Sequence, residues 1–408
     1  MKKYNVFFFG ARDYYEVALA LKEKNLLNYL ITDFYCPNFL RKILKKRYCE
    51  NIASNKVVSI YPFAILNFFF IHTRFQKFLD FTFGFLAGII TYFSTNRAIV
   101  YSYYISGFVT FYKLFKIRPD KFICFQDHPT NWFVNNIMKK DKINFFKKYN
   151  IYLSKYSESF YTHKDNIRYR EALLKSDLII CSSSITSKSL EFEKSHSLNI
   201  KVIPYGSRFK NYKNRMENIK NINKINLITI GQLNQRKGLH WAFMAMKSLK
   251  KSDQNKFEWI VVSNFYDKII QGITPYNVKY YSELKKEHLI NLIKKSDLFV
   301  LPSLIEGFGH VYLETMSLGT PILYSENTGA NDFASDGFNS IKVKAGSVRD
   351  LKIVFKNIAN KAINLKKMKK NCKLPTHVIN CTTFRKELFR SVNKLENKFN
   401  SCNTKAVL

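Results

Sequence analysis

The sequence predicts an α/β protein with two doubly wound domains facing each other across a cleft, and three observations support this. Short apolar segments alternate with helical segments along both halves of the chain, which is the pattern of a parallel sheet. Residues 207–224 are polar and basic without apolar periodicity, which is typical of a linker. The chain of 408 residues is 46% hydrophobic, enough for two or three domains with cores of their own.

The first half contains short apolar segments that we interpret as strands. They are Asn5–Phe9, Tyr29–Thr32, Ile99–Tyr104, Phe122–Phe125, Leu178–Cys181 and Val202–Ile203. The first strand runs into Gly10, and a helix is predicted from about Asp13 to Lys24.

The second half repeats the alternation without repeating the sequence. Its predicted strands are Leu227–Ile230, Trp259–Val262, Leu298–Leu301 and Pro321–Tyr324; its predicted helices are Leu239–Leu249, Lys286–Lys294 and Val311–Leu318. A last amphipathic helix is predicted at Thr382–Lys398, and we expect it to cross back to the first domain. We therefore divide the chain into domains at residues 1–206 and 225–375, joined by the linker 207–224 and followed by a helix and tail at 376–408.

The charge balance restricts the partners. Lys and Arg number 66 against 30 Asp and Glu, a net charge of +36, which favours nucleotide phosphates, anionic lipid or nucleic acid. No recognisable nucleic-acid-binding motif is present, so that alternative is remote. The basic run Arg41–Arg47 suits an anionic membrane surface. Seven cysteines without a C-x-x-C pair favour reduced thiols in the cytoplasm over a disulfide scaffold or zinc module.

Two apolar runs lack the length of a spanning helix. Phe81–Asn96 has sixteen residues and Ala98–Tyr112 has fifteen, against the ~20 that a membrane span needs. We interpret them as helix and strand of the first domain's core, with shallow membrane insertion as the alternative. The apolar run near the N-terminus, about five residues, is also shorter than the ~7–15 of a secretory signal.

The strongest functional pattern lies in residues 296–325. A strand ends at Pro302, the loop carries Glu306-Gly307-Phe308-Gly309, and a helix carries Glu314, eight residues after Glu306. Glycines at a helix N-terminus leave its amides accessible to an anion. A carboxylate beside a phosphate would be repelled, so Glu306 must face hydroxyl groups or hold a positive charge. The alternative is one capping and one solvated glutamate.

A second pattern lies in residues 225–249. A strand ends at Gly231, and the following loop carries Arg236 and Lys237 before a helix. Two cations at the carboxyl edge of a parallel sheet lie where nucleotide phosphates bind. The alternative is that both side chains are simply solvated.

Together these segments resemble the retaining glycosyltransferases of family 4, the "glycosyl transferases group 1" with the GT-B fold. Further stretches are similar to that family: Leu323–Val343, Ser176–Leu190 with Val202–Gly206, and Phe122–Pro129. The resemblance covers the second half well, and the first half only at Asn5–Pro37 and from Ile99 onward.

The resemblance implies transfer of a sugar from a UDP- or GDP-sugar, with retention, by a hexosyltransferase-type enzyme. Arg236 and Lys237 would hold the diphosphate, Glu306 the donor sugar and Glu314 the ribose. Other donor-binding positions would be Gly307, Phe308, Gly309, Gly231 and Gly329. Gln232 stands where many relatives have arginine, so one phosphate contact would be missing and Arg236 and Lys237 would have to supply more of the binding.

In the first domain the resemblance implies the acceptor site. His128 would lie near the sugar and the acceptor, and Gly10 and Arg12 would contact the acceptor, although His128 could be a packed or solvated residue and Arg12 a capping one. The expected acceptor is lipid-linked or a polysaccharide, in cell-surface polysaccharide biosynthesis. No cofactor or metal is expected, because cations and a helix N-terminus would neutralise the leaving group. An epimerase or phosphorylase of the same fold is the alternative.

Overall fold

The computed structural model describes residues 2–36, 47–70, 73–153, 162–191, 198–207, 224–282, 284–372 and 380–405. The chain divides into two units. The first is Met1–His128 with Ser159–Pro204 and Cys381–Leu408, and the second is Pro129–Glu158 with Tyr205–Asn380. Among the described residues each unit contains one sheet of parallel strands, seven in the first and six in the second, which confirms the predicted α/β fold class.

The strands in chain order are β1 Tyr4–Phe7, β2 Leu27–Thr32, β3 Val57–Ser59, β4 Arg97–Tyr101, β5 Lys121–Gln126, β6 Leu178–Cys181, β7 Ile200–Val202, β8 Ile225–Ile230, β9 Phe257–Val262, β10 Val278–Tyr281, β11 Leu298–Leu301, β12 Ile322–Ser325 and β13 Ser340–Val343. The helices are α1 Glu16–Lys22, α2 Tyr61–Phe70, α3 Gln76–Tyr92, α4 Ile105–Leu114, α5 Asn131–Tyr149, α6 His163–Leu174, α7 Ser184–Lys188, α8 Leu239–Lys247, α9 Lys251–Gln254, α10 Lys268–Gly272, α11 Lys286–Lys295, α12 His310–Ser317, α13 Val348–Ala359, α14 Leu365–Lys370 and α15 Cys381–Lys405.

The first sheet has the order β3-β2-β1-β4-β5-β6-β7, and the second has β10-β9-β8-β11-β12-β13. In both, the first strand of the unit lies inside the sheet and the order reverses beside it. At such a reversal the loops that leave two neighbouring strands diverge, and a ligand site forms at the carboxyl edge. The reversals lie between β1 and β4, and between β8 and β11.

The phenylalanine-rich region forms two closely packed helices of the first unit. A Cβ atom on Gly84 of α3 would lie 2.0 Å from the Tyr104 carbonyl oxygen, and one on Gly107 of α4 would lie 1.9 Å from that of Phe81. The glycines therefore let α3 and α4 pack with their backbones almost in contact, and Phe83 and Phe108 are fully buried beside them. No helix in the described part of the chain combines the length and the apolarity needed to cross a bilayer.

The last helix, α15, packs against α1 of the first unit, as predicted. Its buried residues follow a helical repeat: Phe384, Leu388, Val392 and Leu395. The Arg385 Nε donates to Glu16 Oε2 at 2.6 Å, and Glu396 contacts both Tyr4 and Arg97. The C-terminal segment therefore completes the first unit.

One sequence assignment differs from the structure, and two others lie mostly outside the described residues. Residues 129–158, which we placed in the first domain, group with the second unit because α5 packs on α8 through Phe145, whose ring centroid is 4.9 Å from that of Trp241. Of the linker 207–224 and the basic run Arg41–Arg47, only Ser207, Lys224 and Arg47 lie within the described residues. Arg47 pairs with Asp33 at 3.1 Å.

Candidate active site

The loops that follow β8 and β11 are joined backbone to backbone. The Leu304 amide donates to the Arg236 carbonyl oxygen at 2.8 Å. Gly238 has φ +68°, and a Cβ atom there would lie 2.0 Å from the Pro302 carbonyl oxygen. Only glycine fits both this left-handed backbone and this approach. The contact fixes the short turn that carries Arg236 and Lys237 against the loop that carries Glu306.

Glu306 binds both cations of that turn through one oxygen. Arg236 Nη1 donates to Glu306 Oε2 at 2.9 Å, and Lys237 Nζ donates to the same oxygen at 2.5 Å. The three side chains are only 12–15% exposed. From the sequence, Glu306 must face either hydroxyl groups or a positive charge, and in the structure it contacts two positive charges.

This cluster carries a surplus of positive charge in a partly desolvated place. Two cations against one carboxylate leave one net positive charge, which attracts an anion more strongly here than in water. Burial lowers the pKa of Lys237, and the neighbouring Arg236 guanidinium lowers it further, while the Glu306 carboxylate acts in the opposite direction. A diphosphate that reached this cluster would therefore stabilise the charged form of Lys237.

A third loop, which follows β12, fixes the backbone of Glu306. The Glu306 amide donates to the Asn327 carbonyl oxygen at 3.1 Å, and the Gly329 amide donates to the Glu306 carbonyl oxygen at 3.2 Å. A Cβ atom on Gly329 would lie 2.2 Å from the Gly307 carbonyl oxygen. Gly329, predicted as a donor-binding position, is therefore needed first for the contact between these loops.

The glycine-rich loop ends at the N-terminus of α12. Gly309 caps this helix with φ +74°, and a Cβ atom there would lie 2.5 Å from Tyr312 Cδ2. The Tyr312 hydroxyl donates to the Leu301 carbonyl oxygen at 2.6 Å and so holds α12 on the end of β11. Phe308 is buried between the rings of Tyr205 and Phe333. The positive end of the helix dipole thus lies at the same sheet edge as the cations.

Glu314 lies on the half-buried side of α12, between His310 and Ser317 on the helical repeat. The chain returns to the second unit at Tyr205, and this segment runs along the same side of α12. The ring centroids of Tyr205 and His310 are 4.8 Å apart, and Ser317 Oγ donates to Ser207 Oγ at 2.9 Å. Glu306 therefore lies in the loop that leads into α12, and Glu314 lies on α12 itself.

The remaining predicted donor position lies on the same edge. Gly231 has φ +137°, its amide donates to the Val262 carbonyl oxygen at 3.0 Å, and a Cβ atom there would lie 3.7 Å from Lys237 Cε. Gln232 beside it is exposed.

A buried polar cluster that the sequence analysis missed supports the cationic turn. The Asp141 carboxylate of α5 accepts from Gln235 Nε2 at 2.8 Å and from Trp241 Nε1 at 2.6 Å. His240 Nε2 lies 3.2 Å from it, and Gln235 also donates to the Met138 carbonyl oxygen at 2.9 Å. Gln235 directly precedes Arg236, so α5 positions the turn. No local pattern indicates a contact between residues about a hundred positions apart.

The first unit gathers its own predicted residues at the carboxyl edge of its sheet. The Gly10 amide donates to Asp33 Oδ1 at 2.7 Å, with φ +75° at Gly10. Arg12 pairs with Asp127 at 2.9 Å, and Asp127 precedes His128 directly. The His128 carbonyl oxygen accepts from Gln126 Nε2 at 2.5 Å. Gly10, Arg12 and His128 thus lie on the loops that follow β1 and β5.

Two buried carboxyl groups lie near this edge. Burial raises the pKa of Asp80 to about 7, against the lowering effects of a hydrogen bond from Gln76 and the charge of Arg12. Burial also raises the pKa of Asp13, which accepts from the Tyr101 hydroxyl. Asp13, Tyr14 and Tyr15 all have positive φ, between 42° and 68°. Because the backbone of these three residues is left-handed, they cannot belong to a right-handed helix. Helix α1, predicted from Asp13, therefore begins at Glu16.

The described residues contain no group of three His, Cys, Asp or Glu side chains arranged to hold a metal ion.

Two doubly wound parallel sheets, each with its own helices, are the architecture of the GT-B fold. Solved structures resemble the chain over nearly its whole length. Sucrose-phosphate synthase from Thermosynechococcus elongatus has a TM-score of 0.64 at 12% identity, covering 98% of this chain and 100% of that one. HepE from Anabaena, in complex with UDP and glucose, has a TM-score of 0.61 at 14% identity, covering 97% and 100%.

The sequence comparison finds similarity in the second half of the chain. Residues 190–374 match the family model described as "Glycosyl transferases group 1". A UDP-Gal:alpha-D-GlcNAc-diphosphoundecaprenol alpha-1,3-galactosyltransferase from Escherichia coli is 31% identical over 107 residues, which are 24% of this chain and 27% of that protein. The chain matches less than a third of the length of the first curated relatives.

Proposed function

We propose that the protein is a retaining glycosyltransferase that moves a hexose from a UDP- or GDP-sugar to an acceptor hydroxyl. The observation that carries the proposal is the pairing of Arg236 and Lys237 with Glu306 at the order reversal of the second sheet. This is the position where doubly wound sheets bind nucleotides.

The donor diphosphate would take over the contacts that Glu306 now makes to the two cations. Glu306 would then turn to the sugar hydroxyl groups, Glu314 would accept from the ribose diol, and the amides of residues 307–309 would face the phosphates. In the reaction the bond from the anomeric carbon to the diphosphate oxygen breaks, and a bond to the acceptor oxygen forms on the same face. The acceptor proton leaves with the diphosphate oxygen. Arg236 and Lys237 stabilise the charge that develops on that oxygen.

The acceptor would bind at the edge of the first unit, against Gly10, Arg12 and His128. We propose a lipid-linked or polysaccharide acceptor in cell-surface polysaccharide biosynthesis, because the name of the Escherichia coli relative includes a diphosphoundecaprenol-linked sugar. The protein would work in the cytoplasm, peripherally at the inner face of the membrane, which the net charge of +36 favours.

The reaction would need no divalent metal, because two cations and the N-terminus of α12 share the neutralisation of the diphosphate. The measurement is turnover in EDTA with and without added manganese or magnesium. Full activity in EDTA is expected, and activity lost in EDTA and restored by manganese would contradict the proposal.

The experiment that tests the function is a screen of UDP- and GDP-sugars for hydrolysis and for transfer to lipid-linked acceptors. One nucleotide sugar should be consumed, and proton NMR of the first product should show the anomeric configuration of the donor. An epimerised nucleotide sugar without any acceptor, a phosphate-dependent reaction, or tight salt-sensitive DNA binding without nucleotide binding would each assign another function.

A further inference from the structure

Helix α2 exposes an aromatic face on the first unit. Tyr61, Ile65, Phe68 and Phe69 recur at the spacing of one helical side, and Phe68 and Phe69 are 78% and 68% exposed. Phe75 and Phe78, at the start of the next helix, are also exposed. We call the four residues of α2 the aromatic face. So many large apolar side chains on one surface are typical of an interaction site.

The inner side of α2 packs on the core of the first unit. On its other side α2 buries Phe63, whose ring centroid lies 5.8 Å from that of Phe9 and 5.5 Å from that of Phe83. Phe70, Phe75 and Phe78 form a continuous row with centroids 4.5 and 5.2 Å apart. Exposure of the other rings is therefore a consequence of how α2 docks on the core.

The stretch of chain that carries the face contains more cations than acidic residues. No Asp or Glu occurs between Glu50 and Asp80, and Asp80 itself is buried. Lys56, Arg74 and Lys77 are the cations of this stretch, with Lys77 paired to Asp165 at 2.8 Å and Arg74 exposed. Aromatic side chains combined with an excess of cations match the boundary between acyl chains and anionic headgroups.

We infer that the aromatic face of α2 docks on an anionic lipid bilayer, with α2 lying in the plane of the membrane. A helix of ten residues is about 15 Å long, which suits a position in the interface rather than a span. A second copy of the chain fits the face poorly, because two molecules of charge +36 repel each other.

The position of the face gives the docking a purpose. Phe9, against which α2 packs, directly precedes Gly10 on the loop at the carboxyl edge of the first sheet. Docking through α2 therefore brings this edge close to the lipid headgroups, where the sugar of a membrane-bound acceptor lies. That purpose rests on the proposed function, whereas the docking itself does not.

The test compares two matched pairs of exposed aromatic residues. Phe68→Ser/Phe69→Ser removes the centre of the face. Phe93→Ser/Phe115→Ser removes residues that are 80% and 58% exposed, and Phe93 follows the far end of α3, about 25 Å from its start. Neither pair is buried, so both variants should keep the wild-type melting temperature.

The measurement is cosedimentation with phosphatidylcholine vesicles that contain phosphatidylglycerol. Wild-type protein and the Phe93/Phe115 variant should bind alike, and the Phe68/Phe69 variant should bind at least ~10-fold more weakly, because two phenylalanines no longer leave water. Vesicles of phosphatidylcholine alone should bind wild-type protein more weakly than the anionic ones. In a Phe68→Trp variant, brominated lipid should quench more of the tryptophan fluorescence than it does in the wild-type protein.

Three results would overturn the inference. Equal binding of wild type and the Phe68/Phe69 variant would show that charge alone holds the protein on the vesicle. No binding to anionic vesicles would exclude docking on lipid. A dimer that the Phe68/Phe69 variant abolishes would assign the face to a second copy of the chain. Nucleotide-sugar hydrolysis without vesicles should be equal in all variants. Its absence in every one of them would contradict the proposed function and leave the vesicle result unaffected.

Discussion

Glu306 is the predicted site residue whose contacts the structure defines most sharply. Its spacing from Glu314 and its place beside two glycines predicted a donor site from the sequence. The pairing with Arg236 and Lys237, about 70 residues away, depends on the order of the strands, which no local pattern contains. For the same reason the sequence does not predict the contacts of Asp141, whose partners follow it by about a hundred residues.

Removing either side of the ion pair should reduce catalysis strongly. Lys237→Ala and Glu306→Ala should each lower turnover by at least ~10²-fold, the usual scale for losing one contact to a developing charge. Both side chains lie on loops, so circular dichroism and melting temperature should stay close to wild type. Variants that are folded and turn over at the wild-type rate, or that fail only because they unfold, would refute the assignment.

The pKa of Lys237 predicts an early loss of activity at high pH. Burial lowers this pKa below the ordinary lysine value, so the ammonium loses its proton, and with it the contact to the leaving group, at a lower pH than an exposed lysine would. The rate should fall as the pH rises through that lowered pKa. Lys237→Arg keeps its charge at every accessible pH and should move the loss to higher pH. An identical alkaline limb in both enzymes would show that another group titrates.

At the scale of elements, the sequence predicted most of the described strands and missed β3, β10 and β13. The four residues of β10 alternate between half-buried and exposed, and β3 has only three residues, all half-buried, so neither shows a continuous apolar run. Strand β13 starts directly after a turn. The order of the strands places the predicted loops side by side, and close backbone contacts then hold them there.

Gly238 is the tightest of these contacts and gives a test. Gly238→Ala would place a Cβ atom 2.0 Å from the Pro302 carbonyl oxygen at φ +68°, so the two loops must separate. We expect a loss of ~1–3 kcal/mol in the free energy of unfolding by urea, together with weaker nucleotide binding.

Gly272→Ala is the matched control, because a Cβ atom there would meet nothing within 4 Å and the φ of Gly272 is ordinary. It should be neutral or slightly stabilising. If the two variants unfold at the same urea concentration, the contact between the loops carries no strain and the proposed geometry is wrong.

At the scale of the whole molecule, the two-sheet plan was predictable because both halves alternate strands and helices. The unit to which residues 129–158 belong was not predictable, because it depends on which helix α5 packs against. In α5 the buried positions are Val134, Met138, Asp141 and Phe145, a narrow stripe on a helix rich in lysine. Such a stripe predicts that the helix packs against something, without naming the partner.

The C-terminal helix gives the last prediction, since it ends the chain yet belongs to the first unit. Leu388 of α15 is fully buried, and α15 packs on α1. Leu388→Ala should lower the free energy of unfolding by ~2–5 kcal/mol through lost apolar contact and the cavity that remains. The loss should be local. Hydrogen exchange should accelerate in β1, β2 and α1, the elements that share this core, and stay near wild type in strands β8 to β13.

Lys386→Ala on the same helix is the control, because Lys386 is exposed and its removal should change the stability by less than ~0.5 kcal/mol. Exchange that accelerates equally in both sheets would mean that the chain unfolds as one cooperative body. Exchange that accelerates only in strands β8 to β13 would contradict the assignment of α15. Leu388 lies about twenty residues from the C-terminus, yet its substitution should speed exchange in the N-terminal strands. This result is expected only if α15 is part of the core of the first unit.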